Sequence, residues 1–261
     1  MKLLVFRALW GMTGTIEQQI QQIADAGYDG IDMWVDFAPP PSQLLPLLEA
    51  RGLTLIASGP APRREDLEPL FARLAEYHPV KMSLHAGRDS MTRDEGTRFF
   101  EDALRLQAQV DVPVSYETHR GRLLYCPWDT LFYLQAFDNL NLTVDYSHWV
   151  NVCERLPDDQ AEALDLANRR ARHIHGRVGY EEGPQVPDPT AAEFQYAVAW
   201  HERQWRRIWE HRRDANESEF TFTPEYGPPS YLHTLPHTNV PVADLWNICL
   251  WAANRARELF V

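Results

Sequence analysis

The stretch VPVSYETHRGR, residues 112–122, reads as a β-strand that ends in charge. Val112, Val114 and Tyr116 are strand formers, and the run closes on Glu117 and His119 ahead of a turn at Gly121. Strand side chains alternate between faces, so Glu117 and His119 share one face. A strand buried in a parallel sheet should be nearly continuous in apolar residues, and this one departs from that at its C-terminal end. Seven other β-rich runs lie at LLVFRA (3–8), YDGIDMW (28–34), LTLIAS (53–58), VKMSLH (80–85), LTVDYS (142–147), HIHGRV (173–178) and FTFTPEY (220–226). Apolar-periodic segments alternate with them near residues 15–26, 41–51, 64–77, 92–109, 127–137, 157–171, 189–214 and 241–260. Eight strand–helix units over 261 residues predict one (β/α)₈ TIM barrel, a single domain spanning residues 1–261 with its active site at the C-terminal strand ends.

Turn chemistry sets the boundaries. Gly27 and Gly52 each follow a helical segment and precede a strand, as a left-handed cap requires. Thr92 with Glu95 predicts a capping box, and Asp188 before Pro189 predicts an N-cap with Pro at the first helical position. The two longest irregular segments, GYEEGPQVPDP (179–189) and GPPSYLHTLPHTNVP (227–241), follow the seventh and eighth runs. Both belong to the face on which a barrel builds its site, as a lid or a specificity wall.

The later runs all end in polar groups. The sixth carries Asp145, the seventh His173, His175 and Arg177, and the eighth Glu225. Gathering carboxylates and imidazoles inside a barrel is unfavourable unless something compensates them, and a divalent cation is the simplest compensator. Glu117, Asp145, His175 and Glu225 supply three carboxylate oxygens and one nitrogen, a set suited to one Mn²⁺, Mg²⁺, Co²⁺ or Zn²⁺ and not decisive among them. Taken singly, a Glu or Asp at a strand end is better explained as a solvated loop residue or a helix cap, and a lone His as a surface or satisfied core residue; the joint occurrence on four successive strand ends carries the reading.

The strings YETHRGR (116–122), VDYSHW (144–149), HIHGRVG (173–179) and FTPEYGP (222–228), with GYDGIDMW (27–34) and LHAG (84–87), resemble the xylose-isomerase-like TIM barrels, in particular the sugar phosphate isomerase/epimerase group. No one string is diagnostic; their order and spacing cover essentially the whole chain. The resemblance implies one divalent ion held by Glu117, Asp145, His175 and Glu225, with His173 left to the surroundings or to packing. It also implies that His148, three residues past Asp145, contacts a sugar. An arginine after the seventh strand does so in the epimerases, but Arg177 lies two residues past His175, closer than in that pattern, which puts the substrate in doubt and not the ion.

Two carboxylates on opposite sides of one cation suit proton transfer next to a carbonyl, because the cation stabilises the developing ene-diolate. Glu117 and Glu225 would then be base and acid on the two faces of a sugar or related polyol, giving epimerisation or aldose–ketose isomerisation. His85 and Asp32 are expected as pocket neighbours and His119 as a substrate or supporting group. Trp10, Trp34 and Trp149 lie near strand tops and could stack on a sugar ring or pack in the core. Two other enzyme classes use related sites: phosphodiesterases of the apurinic-endonuclease type, with three metals, and dehydratases of keto-polyols. A non-catalytic sugar-binding module gives no reason for two opposed Glu residues.

Composition narrows the partners. Thirty-seven acidic against 25 basic side chains give a net charge of -12, against a surface that holds a phosphate backbone. The basic helix WHERQWRRIWEHRR (200–213) reads as a solvated outer helix with Trp200, Trp205 and Trp209 turned inward. Cys126, Cys153 and Cys249 have neither disulfide nor zinc-ribbon spacing. No run approaches the roughly 18 uncharged apolar residues of a membrane span, and the opening MKLLVFRALWGM is broken by Arg7 and lacks a cleavage site. A cytoplasmic enzyme of carbohydrate metabolism is expected, acting on a small molecule without nucleic acid or membrane, with a homo-oligomer compatible with these features.

Overall fold

Along the strand that carries His85, Lys81, Ser83 and His85 face one way and Met82, Leu84 and Ala86 the other, and that period-two sorting builds the whole molecule. The structure, a computed structural model, describes residues 1–260. Its strands are β1 (Lys2–Ala8), β2 (Gly30–Trp34), β3 (Thr54–Ala61), β4 (Lys81–Ala86), β5 (Val114–Glu117), β6 (Leu142–Val144), β7 (Ala171–His175) and β8 (Glu219–Thr223). They are all parallel and close into a barrel in chain order, with β8 returning to β1. The expected (β/α)₈ architecture is therefore the observed one.

The helices are α1 (Ile16–Asp25), α2 (Pro41–Glu49), α3 (Leu67–Ala75), α4 (Arg93–Gln107), α5 (Pro127–Ala136), α6 (Tyr146–Cys153), α7 (Ala161–Arg170), α8 (Gln195–Asp214) and α9 (Leu245–Leu259). Outward strand residues such as Met82, Leu84, Val114, Tyr116, Val144, Ile174 and Phe222 are buried in the layer between barrel and helices. Inside the barrel, side chains meet across adjacent and non-adjacent strands: Ser83 Oγ of β4 and Thr143 Oγ1 of β6 are 2.7 Å apart, as are Ser115 Oγ of β5 and Thr143 Oγ1. Small hydroxyls fill the interior here in place of the branched aliphatics usual in such barrels.

Several boundaries differ from the sequence reading. The sixth strand was expected over 142–147, but β6 stops at Val144 and Asp145 N-caps the additional helix α6, accepting from the Ser147 amide at 3.0 Å. A short polar side chain at a strand end competes for the next backbone amides, and three-residue pairing is too weak to prevent it. Asp188 does not cap a helix at Pro189: its Oδ1 accepts from the Thr190 amide and hydroxyl at 2.8 and 2.7 Å in a turn, and α8 begins at Gln195. The Thr92–Glu95 capping box is present on α4, and Gly27 and Gly52 have φ of +72° and +64°. Trp200, Trp205 and Trp209 of α8 are buried as expected. Among the described residues no helix is long and apolar enough to cross a membrane.

Candidate metal centre

Glu117 ends β5, Asp145 follows β6, His175 ends β7 and Glu225 lies two residues beyond β8. Parallel register brings these ends level, since His173 pairs with Thr221 and His175 with Thr223. Each of the four residues offers one ligand atom, and these atoms all lie within 4.8 Å of one another. His175 Nδ1 is 3.4 Å from Glu117 Oε2 and 3.2 Å from Glu225 Oε2. Gly176 lets the chain leave β7 against the Phe222 ring, where a Cβ would come within 1.9 Å of Cζ.

The donor set fits a divalent cation. His175 Nδ1 and Glu117 Oε1 are buried without a hydrogen-bond partner, and three carboxylates with one imidazole nitrogen is a set that hard and borderline ions accept. Burial disfavours charge on His175, but Glu225 and Glu117 outweigh it and hold its pKa well above the usual imidazole value. An incoming cation would displace that proton, as ligation requires. Burial also acts against Glu117, where His85 and His175 prevail and hold the carboxyl well below its usual range. Asp145 goes the other way: burial raises it to about 6, with Arg177 opposing and Glu225 and Glu117 assisting.

Arg177, expected as a substrate contact, lies fully buried among the donors, with Nη2 bonded to Asp145 Oδ2, 3.2 Å from Glu225 Oε2 and 3.0 Å from His148 Nε2. Its short spacing from His175 is the reason, because the chain has only Gly176 to turn before Arg177 points back into the cluster. Asp145 Oδ1 is taken by Ser147 Oγ at 2.5 Å, so Oδ2 is the oxygen that faces the site.

Around these donors stand rings from six segments. Trp34 meets His85 at 4.6 Å between centroids, His85 meets His119 at 4.3 Å, and His119 meets His148 at 3.9 Å. Tyr231 continues the arc, 6.4 Å from His148, and Trp10 packs on Tyr231 at 5.0 Å. His85 Nε2 is 2.5 Å from Glu117 Oε2, so it is a neighbour of the centre as expected. His119 Nδ1 donates to the Arg120 carbonyl at 2.5 Å, and burial keeps this imidazole and that of His148 well below the usual pKa, hence neutral. Trp149 is not at the site: it is fully buried in the core, its indole N–H donating to the Leu124 carbonyl at 3.1 Å.

Asp32 proves more central than a pocket neighbour. Its Oδ1 accepts from Ser58 at 2.9 Å, and its Oδ2 lies 3.2 Å from His175 Nε2 and 3.1 Å from Thr223 Oγ1. His173 and His175 hold its carboxyl far below the normal range against burial. Sequence reasoning missed Tyr231, Ser58, Ser147 and Thr223. Only Thr223 had a legible signal, the inward alternation of FTFT.

No protein-family model matches the sequence, and no curated protein matches it. Solved structures do. The 3-keto-D-glucoside 4-epimerase YcjR of E. coli aligns with a TM-score of 0.61 at 14% identity over 98% of this chain and 100% of its own. The probable 3-DHS dehydratase AsbF of Bacillus anthracis aligns at 0.60 and 14% identity over 98% and 99%. A family 2 AP endonuclease of Brucella melitensis aligns at 0.58 and 13% identity over 87% and 93%. These neighbours carry different activities on one scaffold, so the likeness speaks for architecture. The chain has the fold of the xylose-isomerase-like TIM barrels, with a buried His/Asp/Glu cluster of the metal-binding type at its C-terminal strand ends.

Proposed function

We propose that the protein is a divalent-metal-dependent isomerase or epimerase of a sugar or related polyol. The observation that carries this reading is the gathering of Glu117 and Glu225, 3.4 and 3.2 Å from His175 Nδ1, within one four-donor cluster. Glu117, Asp145, His175 and Glu225 would hold the ion. When bound, the ion supplies positive charge that makes a C–H next to a carbonyl acidic enough to lose its proton. Glu117 and Glu225 then exchange protons with the two faces of the substrate carbon. His85 Nε2, at 2.5 Å from Glu117 Oε2, orients that carboxylate, and neutral His119 and His148 offer hydrogen bonds to substrate hydroxyls. The arc from Trp34 to Trp10 excludes water and gives C–H-rich surfaces a face to pack on.

The test is exchange of substrate C–H protons with deuterated water across a panel of ketoses and aldoses, with Mn²⁺, Co²⁺ or Mg²⁺ added. Exchange in at least one sugar, lost in Glu117→Gln and Glu225→Gln, is the expected result. A protein that exchanges no substrate proton with any of these ions would sink the proposal. Metal content separates the apurinic-endonuclease type of chemistry, which needs three ions per chain; one ion is expected here.

A further inference from the structure

Lys81 starts β4 at the end of the barrel opposite the metal centre, yet a directed run of polar contacts joins the two. Its ammonium donates to Thr221 Oγ1 at 2.7 Å and to the Arg172 carbonyl. Thr221 Oγ1 lies 2.8 Å from His173 Nδ1. His173 Nε2 lies 3.2 Å from Thr223 Oγ1 and 3.5 Å from Asp32 Oδ2. Thr223 Oγ1 and His175 Nε2 both reach that same Asp32 oxygen, at 3.1 and 3.2 Å. Every member of this run is buried.

Proton counting gives the run one direction. As an ammonium, the form it takes below its pKa of about 7, Lys81 has only protons to give, so it fills a lone pair of Thr221 Oγ1 and also satisfies the Arg172 carbonyl, 3.4 Å from that hydroxyl. The Thr221 proton is thereby left for His173 Nδ1. His173 then carries its own proton on Nε2, directed at Thr223 and Asp32. The other tautomer, with Nδ1–H donated to the Thr221 carbonyl at 3.0 Å, would aim an Nε2 lone pair at the Asp32 carboxylate 3.5 Å away. Thr223 passes its proton to Asp32, and Asp32 holds the proton of His175 Nε2. His175 Nδ1 is thus turned toward Glu117 and Glu225, and the proton it carries there is the one an incoming cation displaces.

We infer that Lys81 is a positioning residue for the metal centre: through Thr221, His173, Thr223 and Asp32 it selects the tautomer in which His175 presents Nδ1 to an ion. This inference rests on reading His175 as an ion ligand. Groups that orient a ligating imidazole are typically worth ten- to a hundredfold in metal affinity, and the unusual feature here is that the orienting charge sits at the far end of the barrel.

The experiment combines ¹⁵N NMR of the histidine rings, with and without Zn²⁺, and Zn²⁺ titration calorimetry on the whole chain, both at about pH 6, where Lys81 is charged. The wild type should show His173 protonated on Nε2 and unprotonated on Nδ1. Lys81→Met should shift His173 toward the Nδ1–H form and weaken Zn²⁺ by about tenfold. Because Lys81→Met removes a buried hydrogen-bonding group, Thr221→Val is the second variant, separating loss of folding from loss of the relay: it should behave alike, while Thr221→Ser, which keeps the hydroxyl, should restore both readouts. Zn²⁺ bound by a wild type whose His173 is the Nδ1–H tautomer, or variants with unchanged tautomer and affinity, overturns the inference. Absence of Zn²⁺ binding with the tautomer change intact instead removes the ligand reading and leaves the relay standing.

Discussion

Arg177 is the residue on which the site turns. Its guanidinium meets two of the four donors, Asp145 and Glu225, and lies over the Tyr231 ring at 4.7 Å from the centroid. A cation entering the cluster must share those carboxylates with it. Arg177→Met should therefore tighten Co²⁺ or Zn²⁺ binding, by about tenfold if one charge-assisted hydrogen bond of roughly 1.5 kcal/mol is released, as read by calorimetry. The same substitution should lower proton exchange, because Asp145 and Glu225 lose the group that fixes them. Weaker ion binding in this variant would show that Arg177 supports the ligands and does not compete for them. Glu117→Gln and Glu225→Gln remove negative charge from a crowded interior, so both should keep the far-ultraviolet dichroism of the barrel while abolishing exchange; full activity in either excludes that Glu from proton transfer. Glu117, Asp145, His175 and Glu225 were legible because ionisable groups are conspicuous in β-rich runs. Tyr231 was not, since an aromatic in a Pro-rich loop has no period to betray its direction.

Among the elements, α6 and α4 make the contrast between structure tied to the site and structure independent of it. Asp145 both caps α6 and faces the cluster, one oxygen to each task. Asp145→Asn keeps an N-capping group, so its helix should survive while ion binding weakens; Asp145→Ala should lose both. Thr92 caps α4 with Glu95 far from the donors, the two side chains bonding each other's backbone. Thr92→Ala should cost about 1 kcal/mol of unfolding free energy, measured by urea titration, with ion affinity unchanged. A stability loss under a few tenths of a kcal/mol would mean that water replaces the cap fully. The α6 turn was hidden in the sequence because LTVDYSHW has strand formers up to Val144 and gives no breaker before the helix. Local propensity there is decided by the Asp145 cap and by burial of Trp149 and Val150, which only the packed barrel supplies.

For the whole molecule, buried imidazoles set a dependence of stability on pH. Burial pushes His201 of α8 down to about 4, although its Nδ1–H bond to the Ala197 carbonyl at 2.9 Å opposes the shift. His173 is likewise held at about 4, mainly by burial. Both fall below the unfolded value of about 6.5, so between those limits the unfolded chain binds more protons and stability rises with pH. Each group accordingly contributes a loss of up to about 3 kcal/mol as pH falls from 6.5 to 4. Lys81 extends the trend upward, since burial lowers it to about 7 and its neutral form is favoured in the folded state as pH rises toward the usual lysine range. His175 works in the opposite sense, its raised pKa adding stability at low pH. His201, remote from the donors, isolates one contribution: the slope of unfolding free energy against pH between 6.5 and 4 should be shallower in His201→Gln than in the wild type. Equal slopes would mean that His201 charges without unfolding the chain around it.

The sequence alone determined the eight-unit barrel, through alternating runs of period two and helical period, and the four strand-end donors, because their charge is foreign to buried β-structure. Counting along the strand also put Glu117 and His119 on one face, while barrel closure decided that this face is the interior. Tertiary structure alone decided which polar atoms are spent on one another. Arg177 turned out to be bound among the donors, Trp149 to lie in the core, and Lys81 to reach toward His175 across the barrel by way of Thr221, 140 positions away in the chain. Those outcomes depend on distances of a few ångströms between non-adjacent strands, and hydrogen bonds, unlike hydrophobic burial, are decided by such distances and not by periodicity.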